Sequence, residues 1–230
     1  LPELEKFYGN TEFKEGNFTD RCSVHVHANV LDMTPQNLAV LCLTYQTIED
    51  ILFGFVGQER DSNIYCVPWN QCRMNYRLVE GLILDPTRKV KQWQKYTALN
   101  LLPVARQGTV EFRHMHGTAD LDKLTVWLHI ISNLMLHSKQ TTLLDSINTI
   151  KELNTSSQYQ HYFDSIFKGI LPYNNQYREL LERGIIDAKY SLMNFDPEKP
   201  GKSPPKSDFD SLMEHIEQTR GRFVAVDPET

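Results

Sequence analysis

The sequence predicts an α+β fold, and three observations carry that expectation. The run from Cys22 to Asn29 alternates strictly between apolar and polar residues, Tyr96 to Met115 has the pattern of a β-hairpin, and two long segments repeat their apolar residues at helical spacing. With 230 residues, 40% hydrophobic and 23% charged, the chain can bury one sizeable core. One main domain is expected over residues 1–193, followed over 194–230 by a flexible linker and a weakly anchored terminal helix.

In the first strand Cys22, Val24, Val26 and Ala28 share one face, and Ser23, His25, His27 and Asn29 share the other. One side therefore suits a core and the other something polar. Thr34-Pro35 then supplies an N-cap and first helical residue, after which Leu38, Leu41, Tyr45, Ile48, Leu52 and Phe55 form a helical stripe. Gln58 to Arg73 is polar and turn-rich, long for an irregular segment in a compact domain, and such loops are often functional. Tyr96 to Val104 reads as a strand, Ala105 to Gly108 as a turn, and Thr109 to Met115 as the returning strand. Asp120 opens a second helix with Leu121, Leu124, Leu128, Ile131 and Met135 as its buried stripe and Trp127 at the margin. Three further helical pieces are expected around Leu144–Leu153, Tyr159–Phe167 and Tyr177–Leu192.

A formal net charge of −5 gives no basic footprint, so nucleic acid is not expected as the primary partner. No apolar run is expected to reach the roughly 20 residues of a membrane crossing, and the start lacks a secretory signal pattern. No membrane partner and a cytoplasmic location are the resulting expectations. Cys22, Cys42, Cys66 and Cys72 lack zinc-ribbon spacing and read as reduced, packing thiols.

Residues two apart on a strand stand side by side, so His25 and His27 form a pair able to ligate a metal or donate to phosphate. An isolated His-x-His is more often two satisfied polar residues on a solvated face. Glu111 and Arg113 likewise project together, a carboxylate suited to a hard cation beside a guanidinium suited to phosphate. Taken alone, that pair is more often a surface ion pair worth about 0.2–1 kcal/mol. A four-histidine transition-metal site with His114 and His116 is opposed by parity, because His114 should face the core with Val110 and Phe112 unless a bulge intervenes.

Together the two strands resemble the phage and bacterial amidoligases of the glutamine-synthetase-like carboxylate–amine ligases. The resemblance rests on Cys22-Ser23-Val24-His25-Val26-His27, on Arg60 with Asn63-Ile64-Tyr65-Cys66, on Tyr96-Thr97-Ala98-Leu99-Asn100-Leu101, and on Gly108 to Thr118 followed by Trp127. It implies an antiparallel sheet with helices packed on one face and an open face that takes ATP and Mg²⁺. It further implies His25 and Glu111 as metal ligands and His27 as a nucleotide or phosphate contact, with Arg113 neutralising the transferring γ-phosphate. Arg60 and Asn63 would reach the nucleotide or acyl phosphate from the loop, while Asn29 and Asn100 would line the same face. The implied chemistry joins a small-molecule or peptide carboxylate to an amine through an acyl phosphate.

Members of that family usually begin with a strand bearing Glu-x-Glu, and nothing before Asp20 has that form; Glu3 and Glu5 read as solvated. With Leu1 in place of a methionine, a chain truncated at its amino end is expected. Two other functions compete: a transition-metal hydrolase or cupin-like enzyme built on the histidine pairs, and a non-catalytic interaction protein on a degenerate ligase scaffold.

Overall fold

Thr34 starts the longest helix among the described residues. In the computed structural model, which describes residues 2–10, 18, 22–57, 60–72 and 78–192, its hydroxyl accepts from Asn37 N–H, and the Asn37 side chain accepts from Thr34 N–H. That reciprocal cap, with Pro35 at the first helical position, explains why the helix begins there. The helix, α2, runs Pro35–Val56 and is buried on nearly every side between the sheet and the other helices. At 22 residues and a mean hydropathy of 1.4, it meets the length and apolarity of a membrane span, contrary to the expectation from sequence, but 83% of that window is buried inside the fold. Its apolarity serves the core.

Before it lie helix α1, Pro2–Asn10, and strand β1, Val26–Asn29. Glu3 and Glu5 are exposed on α1, so that segment is helical and carries no acidic strand. After α2 come two short helices that the sequence reading did not anticipate, α3 (Leu78–Leu84) and α4 (Pro86–Lys91), the second capped by Asp85. Strand β2 is Leu99–Asn100, a single helical turn α5 spans Val104–Gln107, and strand β3 is Thr109–Phe112. Gly108 closes α5 in the left-handed conformation at φ 65°, where a side chain is strained. The hairpin expected over 96–115 is therefore present, with shorter strands and a helical turn at its tip.

The strands form one antiparallel sheet in the order β1-β3-β2. Against it pack α2 and α6, Leu121–Gln140, whose N-cap is Asp120 as expected. The buried stripe of α6 is Leu124, Trp127, Ile130, Ile131, Leu134, Met135 and Ser138, so Leu124, Ile131 and Met135 lie in it as expected, while Trp127 sits within it rather than at its margin. Its ring meets Phe112 edge-on and stacks on Phe55. Helices α7 (Leu143–Glu152), α8 (Ser156–Phe167) and α9 (Asn175–Leu192) complete the core and match the three expected pieces. The expected linker and terminal helix of 194–230 lie outside the described residues.

One irregularity shapes the site. β1 pairs Val26 with Phe112, yet further along Ser23 bridges His116, and Val24 N–H donates to Met115 O. Two residues of one strand thus oppose three of the other, a β-bulge within Arg113-His114-Met115. Up to Arg113 the side chains alternate as the sequence predicts. Beyond it the phase changes: His114 and Met115 are both fully buried. Uninterrupted alternation would put Met115 on the polar face with Glu111 and Arg113, and the extra residue turns it into the core instead.

Candidate active site

Glu111 occupies the middle of the central strand, with His27 of β1 directly across on one side and Asn100 of β2 on the other. Register alone therefore brings three polar residues together, and the pleat adds His25 and Arg113 on the same face. Glu111 Oε1 accepts from His25 Nδ1 at 2.8 Å and from Arg113 Nη1 at 2.7 Å, while Oε2 accepts from Asn100 Nδ2 at 2.8 Å. His27 Nε2 stands 3.8 Å from Oε1, beyond hydrogen-bond range, and its Nδ1 meets Thr109 Oγ1 at 3.0 Å. His25 Nε2 meets Ser23 Oγ at 2.9 Å.

This face is polar without being solvated. Glu111, Arg113, Thr109 and Asn100 are all buried, and solvent is reached above them by Ser23, Asn29 and the two histidines, whose side chains are about a third exposed. Burial pushes the Glu111 carboxyl up, but hydrogen bonds from His25 and Asn100 and the charge and hydrogen bond of Arg113 outweigh it, leaving a value of about 2. The carboxylate is therefore ionised at any physiological pH. Arg113 is fixed from a second direction, since its Nε donates to Tyr65 O at 2.9 Å and its guanidinium lies 5.7 Å from the Tyr96 ring centre.

Arg60 departs from the expected role. It is buried, and its Nε and Nη2 donate to the carbonyls of His114 and Arg113 at 2.8 and 3.0 Å. A bulge leaves carbonyls without ladder partners, and this guanidinium satisfies two of them, so it braces the strand rather than reaching outward. Asn63 Oδ1 accepts from Tyr65 N–H within its own turn, and Asn29 Oδ1 accepts from Leu31 N–H. Asn29 lies next to His27 on the polar face, opposite Thr109. Asn100 also accepts from Leu102 N–H, so its amide is oriented with the donor end on Glu111.

Behind the sheet runs a buried polar chain that sequence reasoning missed. Trp69 N–H donates to the Glu49 carboxylate, Tyr45 Oη lies 2.6 Å from Glu49 Oε1, and His114 Nε2 lies 2.9 Å from Tyr45 Oη. Burial pushes Glu49 up to about 7, against the hydrogen bonds from Tyr45 and Trp69, and holds His114 down at about 3. His114 thus belongs to the core and cannot join His25 and His27 on the outer face. A signal in the sequence was the acidic pair Glu49-Asp50 within a mostly apolar helix.

Metal capacity is limited. Among the described residues no group of three or more His, Cys, Asp or Glu side chains converges to hold an ion. The donor set offers one ionised carboxylate and an adjacent imidazole, both engaged with each other. That suits a cation that arrives on a phosphate ligand and keeps most of its oxygen shell from phosphate and water, not one enclosed by protein.

The fold and the cluster together define an α+β domain that holds an ionised carboxylate and a guanidinium at the centre of a small sheet, under a pair of accessible imidazoles. Over residues 11–135 the chain matches the family model described as "Putative amidoligase enzyme". That match takes in all three strands among the described residues and more than half of the chain, so the protein belongs to this amidoligase family, whose description points to amide-bond ligation. No curated protein and no solved structure matches it.

Proposed function

We propose that the protein is an ATP-dependent carboxylate–amine ligase that works through an acyl phosphate, on a sheet related to the catalytic domain of glutamine synthetase. The observation that supports it is the convergence of His25, His27, Asn100, Glu111 and Arg113 on one sheet face in a member of an amidoligase family. In this reading a carboxylate oxygen of one substrate attacks the γ-phosphorus of ATP, and the bond to the ADP oxygen breaks. An amine then attacks the acyl carbon, phosphate leaves, and the nitrogen loses its proton. No protein nucleophile is required, so positioning and charge compensation supply the rate.

Arg113 would take the transferring phosphoryl group, since its guanidinium is held rigidly by Tyr65 O and Glu111 and matches phosphate oxygens in shape. His27, with Asn29 beside it, would contact the nucleotide phosphates from the solvent side. Mg²⁺ would enter with the nucleotide, with Glu111 and His25 as its protein ligands, and would supply further neutralisation of phosphate charge. Asn100 holds the Glu111 carboxylate in place.

The test is ADP release by the protein with a panel of amino acids and amines. Release should require both a carboxylate and an amine. Because Glu111 is buried against Arg113, Glu111→Ala would strand a buried cation and destabilise the fold, so Glu111→Gln is the informative variant. Glu111→Gln and His25→Ala should each abolish amine-dependent ADP release while circular dichroism stays unchanged. Undiminished turnover in either variant refutes the assignment.

A further inference from the structure

Beside the cluster, two aromatic side chains stand in solvent. Tyr65 is 49% and Tyr96 42% exposed, and their rings meet edge to face at 5.4 Å. Ile64, the residue just before Tyr65 in the same turn, is 70% exposed. Packing among the described residues does not account for them, and exposed aromatics gathered at one place mark a binding surface. The pair is tied to the site through a single side chain: Arg113 bonds Glu111 with Nη1, bonds Tyr65 O with Nε, and lies over the Tyr96 ring.

We propose that Tyr65 and Tyr96 seat the body of the carboxylate substrate, and that this substrate carries an aromatic or large apolar group close to its reacting carboxylate. The inference rests on the ligase reading of Arg113 given above. If Arg113 takes the transferring phosphoryl group, the atom bonded to that phosphorus in the acyl phosphate is a substrate oxygen, so the substrate's body lies one guanidinium away. Adenine is separated from the same phosphorus by a ribose and two further phosphates. Charge selects the carboxylate over the amine. Lys95 Nζ stands 5.3 Å and the Arg113 guanidinium 5.7 Å from the Tyr96 ring centre, so an ammonium group laid on that ring meets two cations while a carboxylate is attracted by both.

The probes are phenylacetate, acetate, phenethylamine and adenosine, with dissociation constants measured by ligand-observed NMR on the full chain in the presence of Mg·ADP. Phenylacetate should bind at least about tenfold tighter than acetate, in keeping with a buried ring. Tyr65→Ala and Tyr96→Ala should each weaken phenylacetate by roughly 3- to 10-fold without changing acetate, and Tyr65→Phe and Tyr96→Phe should retain most of the affinity. Both side chains are half in solvent, so truncating them leaves the core untouched. The proposal is overturned if phenylacetate does not bind, if it binds equally well to the alanine variants, if phenethylamine is preferred, or if adenosine is the ligand that the tyrosine variants lose. Mg·ADP affinity and ADP release, read on the same samples, separate the two ideas. Intact nucleotide chemistry with tyrosine-independent phenylacetate binding defeats this proposal alone, whereas tyrosine-dependent phenylacetate binding without any nucleotide binding defeats the ligase reading.

Discussion

Glu49→Gln probes the buried chain behind the sheet through the pH dependence of stability. A carboxyl that ionises near 4.5 when unfolded and at about 7 when folded stabilises the native state fully below pH 4.5 and progressively less as pH rises to 7. The loss amounts to about 3 kcal/mol, at roughly 1.4 kcal/mol for each pH unit. His114 acts in the opposite sense. An imidazole with a value of 6.5 unfolded and about 3 folded contributes stability that is complete above 6.5 and falls away with acidification, again by about 1.4 kcal/mol for each pH unit. Between pH 4.5 and 6.5 the two slopes nearly cancel in the wild type. Glu49→Gln keeps an acceptor for Trp69 N–H and a partner for Tyr45 while removing one of the slopes. Urea unfolding from pH 4.5 to 7.5 at fixed ionic strength should show the variant losing about 3 kcal/mol relative to wild type on going from pH 7 down to 4.5. His114→Gln should show the reverse difference from pH 6.5 downward. Taking each variant against wild type at the same pH removes the contribution of the other carboxylates. A difference that does not vary with pH would refute the burial argument for the residue concerned.

Other perturbations follow from packing. A methyl group added by Gly184→Ala would overlap the Thr47 carbonyl, its carbon being 2.6 Å away, so α9 must move off α2, and thermal unfolding should report a loss of about 1–3 kcal/mol. Phe112→Ala empties the space beneath Trp127 and should cost about 3–5 kcal/mol in urea titration. Arg60→Lys keeps the charge but cannot serve the Arg113 and His114 carbonyls with one planar group, and a loss of roughly 1–3 kcal/mol is expected by the same measurement.

Much of the architecture could be read from residue order because it rests on local signals. The Thr34-Pro35 cap, the Asp120 cap and the alternation of residues 23–29 each have a short-range physical cause, and α2, α6 and β1 follow them closely. The joining of Glu111 with His25 and Arg113 was also legible, since pleat parity needs only the strand assignment. What escaped depended on tertiary partners. Leucine at 121, 124 and 128 fits a helical stripe as well as Leu124, Trp127 and Ile131 do, and only the position of Phe112 decides between them. Burial of the polar face was hidden because β3 is central and the 60–67 loop carries the Tyr65 carbonyl onto Arg113. Arg60 was assigned outward because nothing in its own neighbourhood announces two carbonyls some fifty positions away.

The extra residue between Phe112 and His116 lets the strand bury two neighbouring side chains, His114 and Met115, and still come back into step with Ser23. Removing one residue would restore plain alternation and leave the later pairing intact, because Ser23 would then meet the same partner in regular register. What would go is one of the two inward side chains, together with the displaced carbonyls that Arg60 holds, so shortening here is felt behind the sheet and not along its edge.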